Sequence, residues 1–403
     1  MFTLLKKLFV LLTQDQVRRF YFLQVLVILM ALIEIVGVAS IIPFMTLVGD
    51  MNQLQENTII SQAYEVSGLT SETQFVFLLG VGVLVMLFFS SIISMFTTWR
   101  LSMFACVIGS EIADKLYTHY LRQNLLFHTS ESSAQLTKKI ATETVRVTQG
   151  ILMPLMHMNA RMMLSLFLSF SIFIYDPKVA IIGLVIFSLG YFLIFKFVEI
   201  RLQHNGADIS KMVEKRYRLM NEGFGGIKDI LLLGRDKDYI KRFNITGQSF
   251  AYSQGSNAAL TLVPRYFMEL IAFGSMIGLL LYLIASHNGN LGIILPILSV
   301  YALATFKLLP AFQQIYASFA YIKGNIAAFE SIEKDLTDAM KKSDNKTPQK
   351  RTNLYPQKKI SLENITFKYP GKEQLILDQL DMLIPVNTVT GIVGPSGSGK
   401  STA

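Results

Sequence analysis

Six long apolar runs dominate the sequence, each close to or above the roughly 20 residues that an α-helix needs to cross the hydrocarbon core of a bilayer. They lie at about Phe20 to Val48, Phe75 to Thr97, Ile151 to Tyr175, Val179 to Val198, Pro264 to Ala285 and Leu291 to Ile315. Lipid offers the backbone no hydrogen-bond partners, so such runs are confined to helices. With 52% of its 403 residues hydrophobic, the chain is too apolar for an ordinary soluble protein and long enough for two domains.

Charge sets the direction of the spans. The segment Gly49 to Gln74 carries Asp50, Glu56, Glu65 and Glu72 but no Lys or Arg, whereas Arg100 to Arg146 and Arg201 to Arg242 are strongly basic. By the positive-inside rule the basic segments face the cytoplasm and the acidic loop lies outside. The expected product is a multi-pass protein of the cytoplasmic membrane with both ends inside. The net charge of +9 comes from residues flanking apolar runs, not from one aromatic-interleaved patch, which excludes nucleic acid as the expected partner. Residues 1–19 lack the long apolar run and cleavage site of a signal peptide. Leu5, Leu8, Phe9 and Leu12, with Lys6 and Lys7 opposite, predict a short interfacial helix instead. The single cysteine, Cys106, excludes an intramolecular disulfide and a cysteine-built metal site.

Both basic segments have helical apolar spacing, around Ile112, Leu116 and Tyr120 and around Met212, Tyr217 and Met220. They predict transmembrane helices that run on into the cytosol in pairs. Bends are expected near Phe127 to Ser133 and near Gly223 to Lys228, where Ser and Gly cluster. A membrane domain over 20–335 would give way to a polar, lysine-rich linker at 336–359. From Ile360 the period changes to two, with Ile365, Phe367 and Tyr369 and then Leu380, Met382 and Ile384 alternating about a Tyr369-Pro370-Gly371 turn. A soluble domain therefore begins over 360–403.

That domain ends in Gly394-Pro395-Ser396-Gly397-Ser398-Gly399-Lys400-Ser401, followed by Thr402, which fits the phosphate-cradling pattern G-x-x-x-x-G-K-[ST]. Glycines let backbone N–H groups close around a polyphosphate. Lys400 would reach the outer phosphates and Ser401 a Mg²⁺ held with ATP. Val389 to Val393 is a β-branched apolar run, so a buried strand is expected before the loop and a helix start near Lys400. An ordinary Gly/Ser turn is the competing reading.

Spans, paired cytoplasmic helices, linker, strands and P-loop together resemble an ABC exporter half-transporter. The fold the resemblance implies is mainly α: a six-helix transmembrane domain with long cytoplasmic extensions, followed by the first strands and P-loop of an α/β nucleotide-binding domain. It gives Tyr369, in Phe367-Lys368-Tyr369-Pro370, the role of stacking on adenine; a plain strand-end tyrosine is the alternative. It makes the bends coupling helices, with His128 and Ser130 in the first and Gly225, Gly226 and Ile227 in the second. It implies a homodimer, because each ATP of that family lies between two subunits. Within the family, Ile33-Glu34, Ile42-Pro43-Phe44, Val263-Pro264-Arg265 with Glu269, and Lys307-Leu308-Leu309-Pro310 are similar to PglK-type lipid-linked oligosaccharide flippases. A short external helix over Leu54 to Val66 fits that pattern. Asn387-Thr388 stands where the family often has Gly-Glu. The family's signature sequence, Walker B carboxylates and switch histidine would lie beyond Ala403, so the chain alone is not expected to hydrolyse ATP.

Ionisable groups inside spans are costly and mark function by default. Glu34 falls roughly 21 Å along the first span, near or past its middle. Arg161, Arg265 and Lys307 are expected to line a central cavity and attract the phosphate of a lipid-anchored glycan. Against this, Arg265 and Glu269 are four apart and can simply pair, while Arg161, Lys196 and Lys307 can snorkel to a boundary. The methionines Met153, Met156, Met158, Met162 and Met163 read as packing. Three functions compete: flipping of a lipid-linked glycan or other amphipathic substrate, export of peptides or drugs by the same fold, and a membrane-anchored P-loop GTPase or kinase without transport.

Overall fold

The computed structural model describes every residue except 1, 11, 50–57, 69–70, 176, 287–290, 344–354, 369–373 and 396. It divides into two units, Met1–Asp344 and Asn345–Ala403. The first is built of helices. After the short α1 (Phe2–Val10), the first apolar run forms α2 (Gln14–Ala39) and α3 (Ile41–Gly49) rather than one helix. Pro43 has no N–H to donate to the Ala39 carbonyl, so the ladder breaks at Ser40, whose hydroxyl turns back to the Gly37 carbonyl at 2.8 Å. A ten-residue helix follows, α4 (Thr58–Ser67), over part of the predicted external helix; positions 54–57 lie outside the described residues.

Beyond it the helices lengthen well past membrane thickness. The 50 residues of α5 (Glu72–Leu121) extend roughly 75 Å at 1.5 Å per residue. Two short helices, α6 (Leu125–Ser130) and α7 (Ser133–Lys138), turn the chain back. The return path holds two π-helical turns, Lys139–Glu143 and Thr148–Leu152, around α8 (Thr144–Val147), before α9 (Met153–Tyr175). A 49-residue α10 (Pro177–Gly225) descends, α11 (Ile227–Leu232) makes the second bend, and α12 (Asp236–Ser286) and α13 (Leu291–Ser343) complete the unit. Stretches within α2, α5, α7–α9 and α12 are long and apolar enough to cross a membrane. The remaining two predicted spans fall within α10 and α13, both continuous helices.

Among the described residues, the two larger of three apolar cores hold most of these helices. In one, Val27 of α2, Leu101, Ala105 and Leu116 of α5, Ile151 and Phe329 with Ile332 of α13 are fully or nearly fully buried. The other joins α10, α12 and α13 through Phe187, Tyr191, Met268, Leu309 and Tyr316. There Phe187 stacks on Phe312 at 5.8 Å and Tyr191 on Tyr316 at 5.4 Å. Pro264 inside α12 cannot donate to the Leu260 carbonyl, and the Tyr316 hydroxyl takes that place at 3.0 Å.

In the second unit, β1 (Lys359–Phe367) and β2 (Leu377–Pro385) pair antiparallel from Lys359 opposite Pro385 to Phe367 opposite Leu377. Register shifts flank Ile365, where Asn364 and Gln379 take φ of 52° and 48°. The buried strand expected at Val389 to Val393 does not form: the stretch is unpaired, and Val389 and Val393 are fully exposed. A central parallel strand needs neighbours on both edges, and among the described residues only the β1–β2 pair is present.

Candidate functional site

The P-loop segment lies in the second unit. Gly397 and Gly399 have φ of +86° and +85°, the left-handed region that glycine alone enters freely. A Cβ on Gly399 would also meet the Ile376 carbonyl oxygen at 2.9 Å, and one on Gly394 the Ser398 hydroxyl at 2.7 Å. The backbone thus closes as tightly as a phosphate cradle requires. The Lys400 ammonium bends back over it, donating to the carbonyls of Gly394 and Pro395, both at 2.6 Å. Ala403 N–H bonds the Gly399 carbonyl at 3.0 Å, the first helical-type bond where a helix start is predicted. A tight glycine-built turn, a lysine at its rim and the hydroxyls of Ser401 and Thr402 beside it are groups of the kind a phosphate ligand needs. Tyr369 and Ser396 lie outside the described residues.

In the membrane unit the five predicted cavity residues resolve into two ion pairs and one separate cation. Lys307 of α13 donates to Glu34 of α2 at 2.8 Å. The Glu34 side chain is only 9% exposed, and its second oxygen, Oε2, is buried with no hydrogen-bond partner among the described residues. Arg265 donates to Glu269 at 2.6 Å along α12, and Gln313 of α13 reaches the same carboxylate oxygen at 3.4 Å. Arg161, half-buried on α9, forms no ion pair among the described residues. The local pair was legible from its four-residue spacing. The Glu34–Lys307 pair and Gln313 were not, because packing of distant helices brings them together.

Both predicted bends are short helices. Asn124 caps α6 by accepting from Phe127 N–H at 3.0 Å, and His128 is exposed on it. Gly226 precedes α11, which closes in a Schellman turn: Arg235 N–H bonds the Ile230 carbonyl at 2.9 Å around Gly234, φ +62°. Leu231, Leu232 and Leu233 are 66–74% exposed there, an apolar tip left bare.

Above the bends, a polar network that the sequence did not announce ties the helical extensions together. Glu143, with no exposed side-chain surface, pairs with Arg146 at 2.9 Å and Lys138 at 3.4 Å. Arg146 also donates to Ser210 at 2.6 Å and to the Gly206 carbonyl at 3.3 Å on α10, and to Asn325 of α13 at 3.2 Å. One guanidinium therefore bridges three chain segments, which suits motion passing along them as a body. Among the described residues no His, Cys, Asp and Glu side chains cluster as a metal site.

Residues 20–309 match the ABC transporter transmembrane region. The ATP-dependent lipid A-core flippase of Pseudoalteromonas translucida is 23% identical over 299 residues, 73% of this chain and 50% of the relative. The flippase of the same description from Wigglesworthia glossinidia brevipalpis is 22% identical over 307 residues, 72% of this chain and 49% of the relative. The chain thus spans about half the length of these relatives. A solved structure of a bacterial Atm1-family ABC exporter with ATP bound superposes with a TM-score of 0.67 at 14% identity, over 96% of this chain and 64% of that one, which is a likeness of fold. With six helical runs, two helical bends and a family match over 20–309, the chain belongs to the ABC transporter transmembrane-region family.

Proposed function

We propose that this chain works in a homodimeric ABC exporter of the inner membrane, with both ends in the cytoplasm, that uses ATP to move a lipid-linked oligosaccharide or similar amphipathic lipid across the bilayer. The observation that carries the reading is the union, in one chain, of a glycine-closed phosphate cradle with long helices whose bends end in α6 and α11. In the cradle, Gly394, Ser396, Gly397, Ser398 and Gly399 would surround the phosphates with backbone N–H groups, Pro395, which has none, would fix the entry to the loop, Lys400 would turn outward from its carbonyls to the outer phosphates, and Ser401 would hold Mg²⁺. Thr402 would support the last turn and Tyr369 would stack on adenine. Bound nucleotide supplies the free energy that favours one arrangement of the bundle over the other.

The coupling role falls to α6, with His128 and Ser130, and to α11 with Gly225, Gly226 and Ile227. The bare leucines of α11 support that role, since an apolar tip is suited to an apolar seat. On the substrate side, the unpartnered Glu34 Oε2 supports a polar headgroup as cargo: it can accept from a sugar hydroxyl while Arg161, Arg265 and Lys307 attract phosphate and Glu269 orients Arg265. The flippase relatives favour lipid over peptide or drug cargo.

The test is reconstitution of the protein at the full length of its reading frame. Mg-ATP should drive inward-to-outward movement of a fluorescent lipid-linked oligosaccharide, and Lys400→Ala should abolish it together with nucleotide binding. Equal movement with and without Mg-ATP would sink the reading. ATP-dependent transport of a peptide or dye in place of the glycolipid would assign the export alternative.

A further inference from the structure

Among the described residues, one charged contact fastens α1 to α13. The Lys7 ammonium lies 2.6 Å from the Glu333 carboxylate, with 49% and 27% of the two side chains exposed. Glu333 stands 18 residues beyond Ile315, where the sixth apolar run ends, so the contact lies about 27 Å further along the helix, outside the bilayer. Two residues on, Asp335 is held from another direction, accepting from Tyr120 of α5 at 2.5 Å and from Lys139 at 2.7 Å. There the side-chain exposures are only 14% for Lys139 and 19% for Asp335. The far end of α13 is therefore gripped on two sides, and the α1 side is the more open to water.

What holds α1 down is slight. Among its described residues only Leu8 is buried, while Phe9 and Val10 are exposed. Leu8 and Phe9, with Leu12 just after the helix, roof an apolar cavity of about 30 Å³ floored by Ile108 and Ile112 of α5 and Leu155 of α9. A void there forfeits dispersion contacts that would otherwise fix the helix. An ion pair half open to water adds little, because solvent screens it. The root of α1 is firm by contrast: Thr13 and Gln16 cap α2 reciprocally, Thr13 N–H donating to Gln16 Oε1 at 2.8 Å and Gln16 N–H to the Thr13 hydroxyl at 3.4 Å. The Gln16 amide also donates to Glu111 of α5 at 2.6 Å. A nine-residue helix with a firm root and a weakly held body is a strap, and the elements of a protein that move are drawn from its weakly held parts.

The helix it fastens is also the covalent route between the two units, since α13 runs to Ser343 and the chain then continues to the strands and the P-loop. Inside the span α13 meets the same N-terminal arm again, where Lys307 donates to Glu34 of α2. We infer that α1 is an autoinhibitory strap: closed through Lys7 and Glu333 it holds the far end of α13 still, and its release frees that end to move. The strap stands on the contacts of α1 and α13 alone. What its release regulates, the turnover of ATP, rests on the function proposed above.

In full-length protein carrying Cys106→Ser, the pair Lys7→Cys/Glu333→Cys can be joined by a bis-methanethiosulfonate reagent about as long as the side chains it replaces. Joining should slow amide hydrogen exchange of α1 and of residues 330–343 by about tenfold and lower Mg-ATP turnover severalfold, both restored by reductant. Cutting the contact acts the other way. Glu333→Gln should speed exchange of both segments about two- to fivefold, the factor expected of an exposed ion pair, and raise turnover while leaving α2 unchanged. Should that variant disturb folding, Lys7→Glu should show the same release, and Lys7→Glu/Glu333→Lys, which rebuilds the pair reversed, should return both readouts to the wild type. Exchange in α1 no faster than in α2, or a joined protein whose residues 330–343 and turnover are unchanged, overturns the strap. Absence of ATP turnover from every form would count against the proposed function instead, and exchange alone would then decide for or against the strap.

Discussion

The ammonium of Lys307 lies 2.8 Å from a carboxylate oxygen of Glu34 although 273 positions separate them in the chain. A carboxylate and an ammonium inside the bilayer are each costly alone, and together they cancel. Removing one strands the other. Glu34→Gln or Lys307→Met should lower stability by roughly 1–3 kcal/mol, less than for a fully enclosed pair because a third of Lys307 remains exposed. The double variant should recover most of that loss. Thermal midpoints of the four proteins in one detergent form a double-mutant cycle, and additive losses would show that the pair contributes nothing.

Tyr316 matters for a different reason. Its hydroxyl satisfies the Leu260 carbonyl, which the proline four residues later leaves without a partner. Tyr316→Phe should therefore cost about 1–2 kcal/mol, the penalty of a buried carbonyl left unmade. In a Pro264→Ala background the helix supplies its own N–H and the same substitution should cost much less. Equal costs in both backgrounds would mean that the hydroxyl acts through something other than the proline.

Much of this architecture was legible because it is local or periodic. Apolar runs of bilayer length announced the long helices, clusters of Gly and Ser announced α6 and α11, and the glycine spacing announced the tight turns at Gly397 and Gly399. Arg265 and Glu269 could be paired by counting to four. Lys307 could not be matched with Glu34 or Arg146 with Asn325, because which helix lies beside which is decided by packing of whole faces. The strand expected at Val389 to Val393 failed for the same reason in reverse: its composition suits a sheet interior, but a strand exists only with neighbours.

Tyr120 offers a titration readable outside the bilayer, since it stands 23 residues past Thr97, about 34 Å along α5. Burial, and then its 2.5 Å hydrogen bond to the Asp335 carboxylate, push its phenol well above the usual value. The folded state therefore keeps a proton that the unfolded state loses near pH 10. Its contribution to stability is complete below pH 10 and declines as pH rises beyond it. Tyr120→Phe should lower stability at pH 7 by about 1 kcal/mol, and the gap to wild type should narrow between pH 10 and 12. A gap constant over that range would show that the proton is not held.

Where α10 crosses α13, two glycines set how close the helices come. A Cβ at Gly206 would collide with the Gly324 carbonyl oxygen, and one at Gly324 would come 2.9 Å from the Asn257 amide. The first obstacle is backbone, which no rotamer change can move, whereas the second is the end of a side chain that can swing away. Gly206→Ala should therefore cost about 2–3 kcal/mol and push the crossing apart, loosening the nearby bonds from Arg146 to the Gly206 carbonyl and Ser210. Gly324→Ala should cost less than 1 kcal/mol, because better helix propensity offsets the shift of Asn257. Gly255, with nothing within 4 Å of an added Cβ, provides the baseline: its alanine variant should be neutral or more stable by up to about 1 kcal/mol. Midpoints measured in the order Gly206→Ala, Gly324→Ala, wild type, Gly255→Ala from lowest to highest would bear out the crossing, and a Gly206→Ala midpoint at or above wild type would rule it out.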